Sequence, residues 1–255
     1  MSKERLDVLV TTRGFAESRE QARRLIRAGR VRVKDQVADK PGVRFAQDAS
    51  ITCVAPPRFV SRGGEKLQGA FDAFAIDVRD CLCLDVGAST GGFTDCLLQH
   101  GAAHVYAVDV GRGQLHWRLR RDSRVTVYEK INARRLDAAM FEDRPRFACL
   151  DVSFISLTVV LPAVIGVLTE DAQLVTLVKP QFEAGREQVG KGGVVREDAV
   201  RADVLARIRA FGEDSAGLTW LGCRESPLRG PAGNIEYLAW WRRLPGRLQG
   251  EPAMS

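Results

Sequence analysis

From Cys81 to Lys179 the chain repeats one pattern. A short apolar run ends in a charged or polar residue, and a longer mixed stretch follows. The runs are "CLCLDV", "HVYAVDV", "RVTVYE", "FACLDVS" and "QLVTLVK". Runs of this length, rich in valine and leucine and not alternating, predict strands covered on both faces, as in a mostly parallel sheet. The fold class expected here is therefore α/β, with ligands at the carboxyl ends of the strands. The first fifty residues read differently. Ser18, followed by Gln21, predicts a helix start. Ala22, Leu25 and Ile26 give that helix an apolar stripe, and Gly29 ends it. The following "RVRVKDQVADKPG" alternates, which predicts Val31, Val33 and Val37 facing inward and Arg30, Arg32 and Lys34 facing water. The stretch "APPRFVSRGGEKL" carries prolines and paired glycines and predicts a boundary. The expected organisation is a small α+β domain over 1–58, a linker over 59–63, an α/β domain over 64–244 and a flexible tail over 245–255.

Charge sharpens that division. The chain of 255 residues has a formal net charge of +6. Residues 1–60 hold 13 Lys/Arg against 7 Asp/Glu, and the remainder holds 25 of each. The whole excess lies in the small module, which predicts that this module meets a polyanion. Arg19, Arg23, Arg27 and Arg30 recur at helical spacing and share one face. With Arg5, Arg32 and Lys34 they are the candidate nucleic-acid contacts. The six cysteines form no CxxC pair and read as reduced thiols, and the three histidines show no metal-ligand spacing. No apolar run approaches the roughly 18 residues of a membrane span, and the N-terminus does not read as a signal peptide. A cytoplasmic, monomeric protein without a metal is the expectation.

The turn after the first strand, "DVGASTGGF", sits where a cofactor is held in such sheets. It lacks the second glycine of the dinucleotide fingerprint and the Gly-Lys-Ser/Thr of a phosphate loop. Asp85 precedes it, an acid that disfavours a pyrophosphate and suits a cationic amino-acid head. Asp109 ends the next strand, where ribose hydroxyls are recognised. An acid, a glycine-rich turn and a second acid together predict S-adenosylmethionine. The candidate cofactor residues are Asp85, Gly87, Ala88, Ser89, Gly91, Gly92, Phe93 and Asp109, with Asn132 near the adenine or simply capping a helix, and Asp151 near the methyl donor.

Two resemblances extend this reading. The order "SR-x-x-A-x-x-x-I-x-x-G-x-V-x-V" within residues 5–54 resembles the S-four-type RNA-binding module, sometimes called the alpha-L motif. Further on come "VSRGGEKL", "CLDVGASTGGFTD", "LDVSFISL", "LVKPQFEAGREQVGKGGVV" and "SPLRGPAGNIEYL". Together they resemble the TlyA family, which joins such a module to an FtsJ-type (RrmJ-like) Rossmann-like methyltransferase domain. The resemblance implies S-adenosylmethionine-dependent 2′-O-methylation of ribose, on cytidine in ribosomal RNA or assembled ribosomal subunits. It also implies a catalytic Lys-Asp-Lys-Glu tetrad at Lys66, Asp151, Lys179 and Glu236. The residues agree: Asp151 and Lys179 end apolar strands, at the edge where ligands bind. Desolvation and a second ammonium favour the neutral amine that a base requires, so Lys179 is the expected base. Lys66 and Glu236 then position the hydroxyl and tune Lys179, and Asp151 orients Lys179. Phe154 and Phe182 stack on a substrate base or pack in the core. Residues 183–195 read as a mobile loop over the RNA or as a plain surface loop. The rival expectations are an assembly factor that has lost catalysis, and a cytolysin, since members of the family are often labelled hemolysins.

Overall fold

The computed structural model describes residues 2–54 and 57–245. The chain divides into two compact units, Met1–Arg58 and Phe59–Ser255. The expected tail lies almost wholly outside the described residues.

The first unit runs β1 (Lys3–Arg5), α1 (Leu6–Thr12), α2 (Arg19–Arg27), β2 (Val31–Val33), β3 (Gln36–Val37), β4 (Arg44–Ala46) and β5 (Ile51–Cys53). Ser18 caps α2 by accepting a hydrogen bond from the Gln21 backbone N–H at 3.2 Å. The stripe on α2 is buried at Ala22 and Ile26, and these pack with Leu6, Val10, Val31 and Ile51. The strands form a three-stranded antiparallel sheet, β3-β2-β5, and a separate β1-β4 pair. One expectation fails here. Val37 is 57% exposed. The turn between β2 and β3 uses only Lys34 and Asp35, both at positive φ, and this sets Val37 opposite Arg32. Directly opposed residues share a face, so Val37 points outward with Arg32.

The second unit begins earlier than expected. Residues 59–63 are not a linker: Phe59 is buried in a core with Leu67, Phe93 and Leu97, and α3 (Gly63–Ala73) already starts at Gly63. There follow β6 (Leu82–Val86), α4 (Gly92–Gln99), β7 (His104–Asp109), α5 (Trp117–Arg120), β8 (Val125–Glu129), β9 (Phe147–Leu150), α6 (Leu157–Val167), β10 (Gln173–Val178), α7 (Pro180–Glu183), α8 (Asp198–Ala210), β11 (Leu218–Glu225) and β12 (Tyr237–Arg243). They build one seven-stranded sheet in the order β11-β12-β10-β9-β6-β7-β8. Strands β6 to β10 pair in parallel, and β12 runs antiparallel to its neighbours β10 and β11. This is the predicted mostly parallel α/β sheet.

Alternation explains why those strands read as unbroken apolar runs. Leu84, Val108, Leu150 and Leu174 face one core, with α6 and α8. Cys83, Val105, Phe147 and Val175 face the other, with α3 and α4. Both faces are dry, so neither parity is polar. The strand order reverses between β6 and β9: β7 and β8 lie on one side of β6, and β9 and β10 on the other. A crevice opens at such a switch point. No helix among the described residues is long and apolar enough to cross a membrane.

Candidate active site

The crevice at the switch point holds two adjoining cavities that share Gly87, Ser89 and Asp151. The larger has a volume of about 470 Å³, within the roughly 300–1,000 Å³ of small-molecule sites. Its walls are mainly apolar, with Val108, Val110, Ile131, Val152 and Ile155, and its polar lining includes Asp109, Asn132, Asp151 and Ser153. The smaller, about 260 Å³, is lined by Ala88, Gly92 and Phe93 of the turn and by Lys66 and Asp151.

The turn is built around close approaches. Gly87 has φ +85, and a Cβ there would lie 2.5 Å from the Asp151 carbonyl oxygen. Gly92 backs onto α3: a Cβ would lie 2.6 Å from the Gly64 backbone nitrogen. Asp109 holds the turn from the next strand. Its Oδ2 accepts from the Ser89 N–H at 2.8 Å, and its Oδ1 from the Gly111 N–H at 2.6 Å.

Two expected cofactor residues, Asp85 and Gly91, are placed differently. Asp85 is fully buried and lies off both cavity walls. The Thr94 hydroxyl donates to its Oδ2 at 2.6 Å, while Oδ1 is buried without a partner. Burial pushes its carboxyl up to about 7. Asp85 supports the turn from beneath; a β-strand's last acid need not reach the ligand, because its side chain follows the strand's parity into α4. Gly91 also lies off both cavities and faces Leu115 and Leu119. Asn132 lines the larger cavity, and its Oδ1 also accepts from the Arg134 N–H at 3.1 Å, capping a 3-10 turn. Only its amide N–H groups remain for a ligand.

The four tetrad positions form two ion pairs: Lys66 and Asp151 line the smaller cavity, while their partners Glu236 and Lys179 are buried and lie off both cavity linings. Lys179 Nζ lies 2.5 Å from Asp151 Oδ1 and donates to Ser153 Oγ at 2.9 Å. Lys66 Nζ lies 2.5 Å from Glu236 Oε2. Glu236 is 1% exposed, and its Oε1 accepts from Gln181 Nε2 at 3.4 Å. Each charge has a different structural origin. Lys66 sits in the first turn of α3, Asp151 follows β9, Lys179 follows β10, and Glu236 precedes β12. The sheet order places β9, β10 and β12 side by side, which is why residues so far apart in sequence meet.

Two details escaped the sequence. Asn234 is buried; its Oδ1 accepts from the Val195 N–H at 2.9 Å and its Nδ2 donates to the Gly193 carbonyl at 2.8 Å. Arg201 adds a bond from Nη1 to the Val195 carbonyl at 2.9 Å. The end of segment 183–195 is thus pinned beside the strand that presents Glu236, rather than free. At its start, the Glu183 carboxylate accepts from Ser156 Oγ at 2.6 Å and from the Leu157 N–H at 2.8 Å. Asn and Gly in "PAGN" read only as a turn; nothing local marks Asn234 as a clasp. Phe154 is 89% exposed at φ 62, an uncommon backbone for a bulky side chain. Its ring lies 4.9 Å from that of Phe182, so of the two readings, core packing is excluded for Phe154.

In the first unit, Arg5, Arg19 and Arg23 converge on the buried Asp7, at 3.0, 3.3 and 2.9 Å. These arginines hold its carboxyl far below the usual carboxylate range. Three of the expected nucleic-acid contacts are therefore partly committed within the fold. Arg27, Arg32 and Lys34 are exposed, and Arg30 is half-buried.

Residues 59–243 match the FtsJ-like methyltransferase family and residues 4–48 match the S4 domain. The chain is therefore an FtsJ-like methyltransferase that carries an S4 domain. Its relatives narrow this further. It is 49% identical over 248 residues to the 16S/23S rRNA (cytidine-2′-O)-methyltransferase TlyA of Mycobacterium tuberculosis, covering 95% of this chain and 91% of that one. It is 44% identical to Hemolysin A of Brachyspira hyodysenteriae, covering 92% and 98%. A solved structure from Streptococcus thermophilus, named as a suspected hemolysin, superposes with a TM-score of 0.74 at 46% identity, covering 99% of this chain and 93% of that one. The chain belongs to the TlyA family.

Proposed function

We propose that the protein transfers a methyl group from S-adenosylmethionine to the 2′-oxygen of a ribose, on cytidine in ribosomal RNA. One observation carries this reading: two Lys-carboxylate pairs, Lys66–Glu236 and Lys179–Asp151, each put one member, Lys66 and Asp151, on the wall of the cavity that begins at the glycine-rich turn. The cavity fits the methyl donor. Its apolar lobe suits an adenine, Asp109 stands at the rim of that lobe, and the Gly87 approach leaves a cradle that any side chain would fill. Asp109, Asp151 and the turn residues 87–89, 92 and 93 are the proposed contacts, with the Asn132 amide toward the adenine. When bound, S-adenosylmethionine supplies an electrophilic methyl on a cationic sulfur.

The chain's own residues do the rest. A new O–CH₃ bond forms, the S–CH₃ bond breaks, and the hydroxyl proton must leave. Lys179 is the proposed acceptor of that proton, which then passes to water. Asp151 and Ser153 fix its Nζ. Lys66, held by Glu236, steers the ribose oxygen, so that most of the rate comes from alignment. Phe154, exposed beside Asp151, supplies a face on which an unpaired base stacks. The S4 domain anchors the RNA backbone through Arg27, Arg32 and Lys34, with the outer edges of Arg5, Arg19, Arg23 and Arg30 alongside. Ribosomes place this work in the cytoplasm.

The test is chemical. Ribosomal RNA incubated with protein and cofactor, then digested to nucleosides, is expected to yield 2′-O-methylcytidine by mass spectrometry. Methyl on a base instead of ribose contradicts the assignment.

A further inference from the structure

The methyltransferase unit is electrically balanced as a whole, yet one segment of it is not. Residues 110–124, "VGRGQLHWRLRRDSR", carry five arginines and a single aspartate. Asp122 is taken by Arg124 at 2.8 Å, and Arg120 is taken by Glu129. Arg118 and Arg121 form no ion pair among the described residues. Both instead lie against one indole: their guanidinium carbons are 5.6 and 5.8 Å from the centroid of Trp117. Trp117 is nonetheless 60% exposed. His116 stacks beside it at 5.8 Å, and an exposed indole flanked by cations is the arrangement on which an unpaired base stacks. The segment also starts at the cofactor cavity, where Val110 and Gln114 line the rim.

We propose that Trp117, Arg118 and Arg121 form a second RNA-contact surface, on the methyltransferase unit itself. An unpaired base packs on the indole, and the two guanidiniums take the adjoining phosphates. The occupant follows from charge. The local acids are already paired, so the surface offers net positive charge beside a π face. That combination suits single-stranded RNA, in which every base has a π face and every linkage a negative charge. An acidic protein segment would satisfy the arginines but gives no reason for the open ring. Continuity with the cavity rim places this surface where RNA flanking the target nucleotide passes. The inference rests on the RNA reading above.

The experiment uses the full chain and a short mixed-sequence single-stranded oligoribonucleotide. Iodide quenching of tryptophan fluorescence is measured with and without the RNA, and Trp117→Phe identifies the contribution of Trp117. Shielding of Trp117 on saturation is expected. Trp117→Ala is expected to weaken RNA binding about tenfold or more. Arg118→Ala with Arg121→Ala is expected to flatten the slope of log affinity against log salt by about 1.4. Thermal midpoints and cofactor affinity stay at the wild-type values, because these side chains lie on the surface. If RNA binds and Trp117 stays open to iodide, the surface proposal fails and the RNA reading stands. If wild-type protein binds neither this RNA nor ribosomal RNA, both fail. If the variants bind extracted ribosomal RNA normally and assembled subunits poorly, the surface meets a protein, and the proposal is overturned.

Discussion

Lys179 and Asp85 are the two residues on which the chemistry and the fold make different demands. Lys179 is held by Asp151 and Ser153, both of which line the larger cavity. Removing the amine in Lys179→Ala is expected to lower turnover about 10²-fold or more. Cofactor affinity, read by calorimetry, should change little; its loss would show a collapsed site instead. Asp85 is legible in sequence as a strand-end acid, yet it serves the turn from below. Its carboxyl is raised from 3.8 to about 7 by burial. Between those values the folded chain binds a proton that the unfolded chain has released, so stability falls as pH rises through this window. Asp85→Asn imitates the protonated acid and removes that slope. Urea unfolding at pH 5 and pH 8 should show the variant gaining on wild type at the higher pH, by an amount on the order of a few kcal/mol. A gap that does not change with pH contradicts it. Asp151 and Lys179 were legible as candidates because they end apolar strands, whereas Lys66 and Glu236 stood out only through the family motifs. The tetrad's pairing was not legible, because which lysine meets which carboxylate depends on strand order.

Among the elements, the five parallel strands were the most readable, since burial on both faces leaves a continuous apolar run. The β2–β3 hairpin was misread by one face, because a two-residue turn fixes register and alternation alone does not. The α3 start was hidden by glycines that resemble a linker. Those glycines belong to a contact: α3 and α4 approach at Gly64 and Gly92. Gly92→Ala is expected to drive the two helices apart. The thermal midpoint should fall, and activity should fall further, because α3 carries Lys66. Activity lost in proportion to folded protein only would contradict that coupling. The pinned segment behind Glu236 gives a separate check. Asn234→Ala removes both its bonds to residues 193–195. Limited proteolysis within 185–195 should accelerate while the rest of the chain stays intact. An unchanged cleavage pattern would mean that Arg201 suffices to hold the segment.

At the scale of the whole molecule, two units with separate cores divide the work. The charge excess in residues 1–60 made this division visible before any geometry. What charge did not disclose is that Asp7 gathers Arg5, Arg19 and Arg23 at one point, leaving the other cations as the open surface. Deleting residues 1–58 is expected to leave cofactor affinity intact, since the cavity residues all lie beyond Arg58. RNA affinity and its salt dependence should fall. The measurement that bears most directly on the central claim is transfer of a radiolabelled methyl group from S-adenosylmethionine to unmethylated ribosomal subunits, with Lys179→Ala in parallel. Label in ribose 2′-O positions of the RNA with wild type, and little with the variant, is the expected result. Label entering the RNA equally with both proteins contradicts the assignment of Lys179. No label from wild type that binds the cofactor contradicts the enzyme itself.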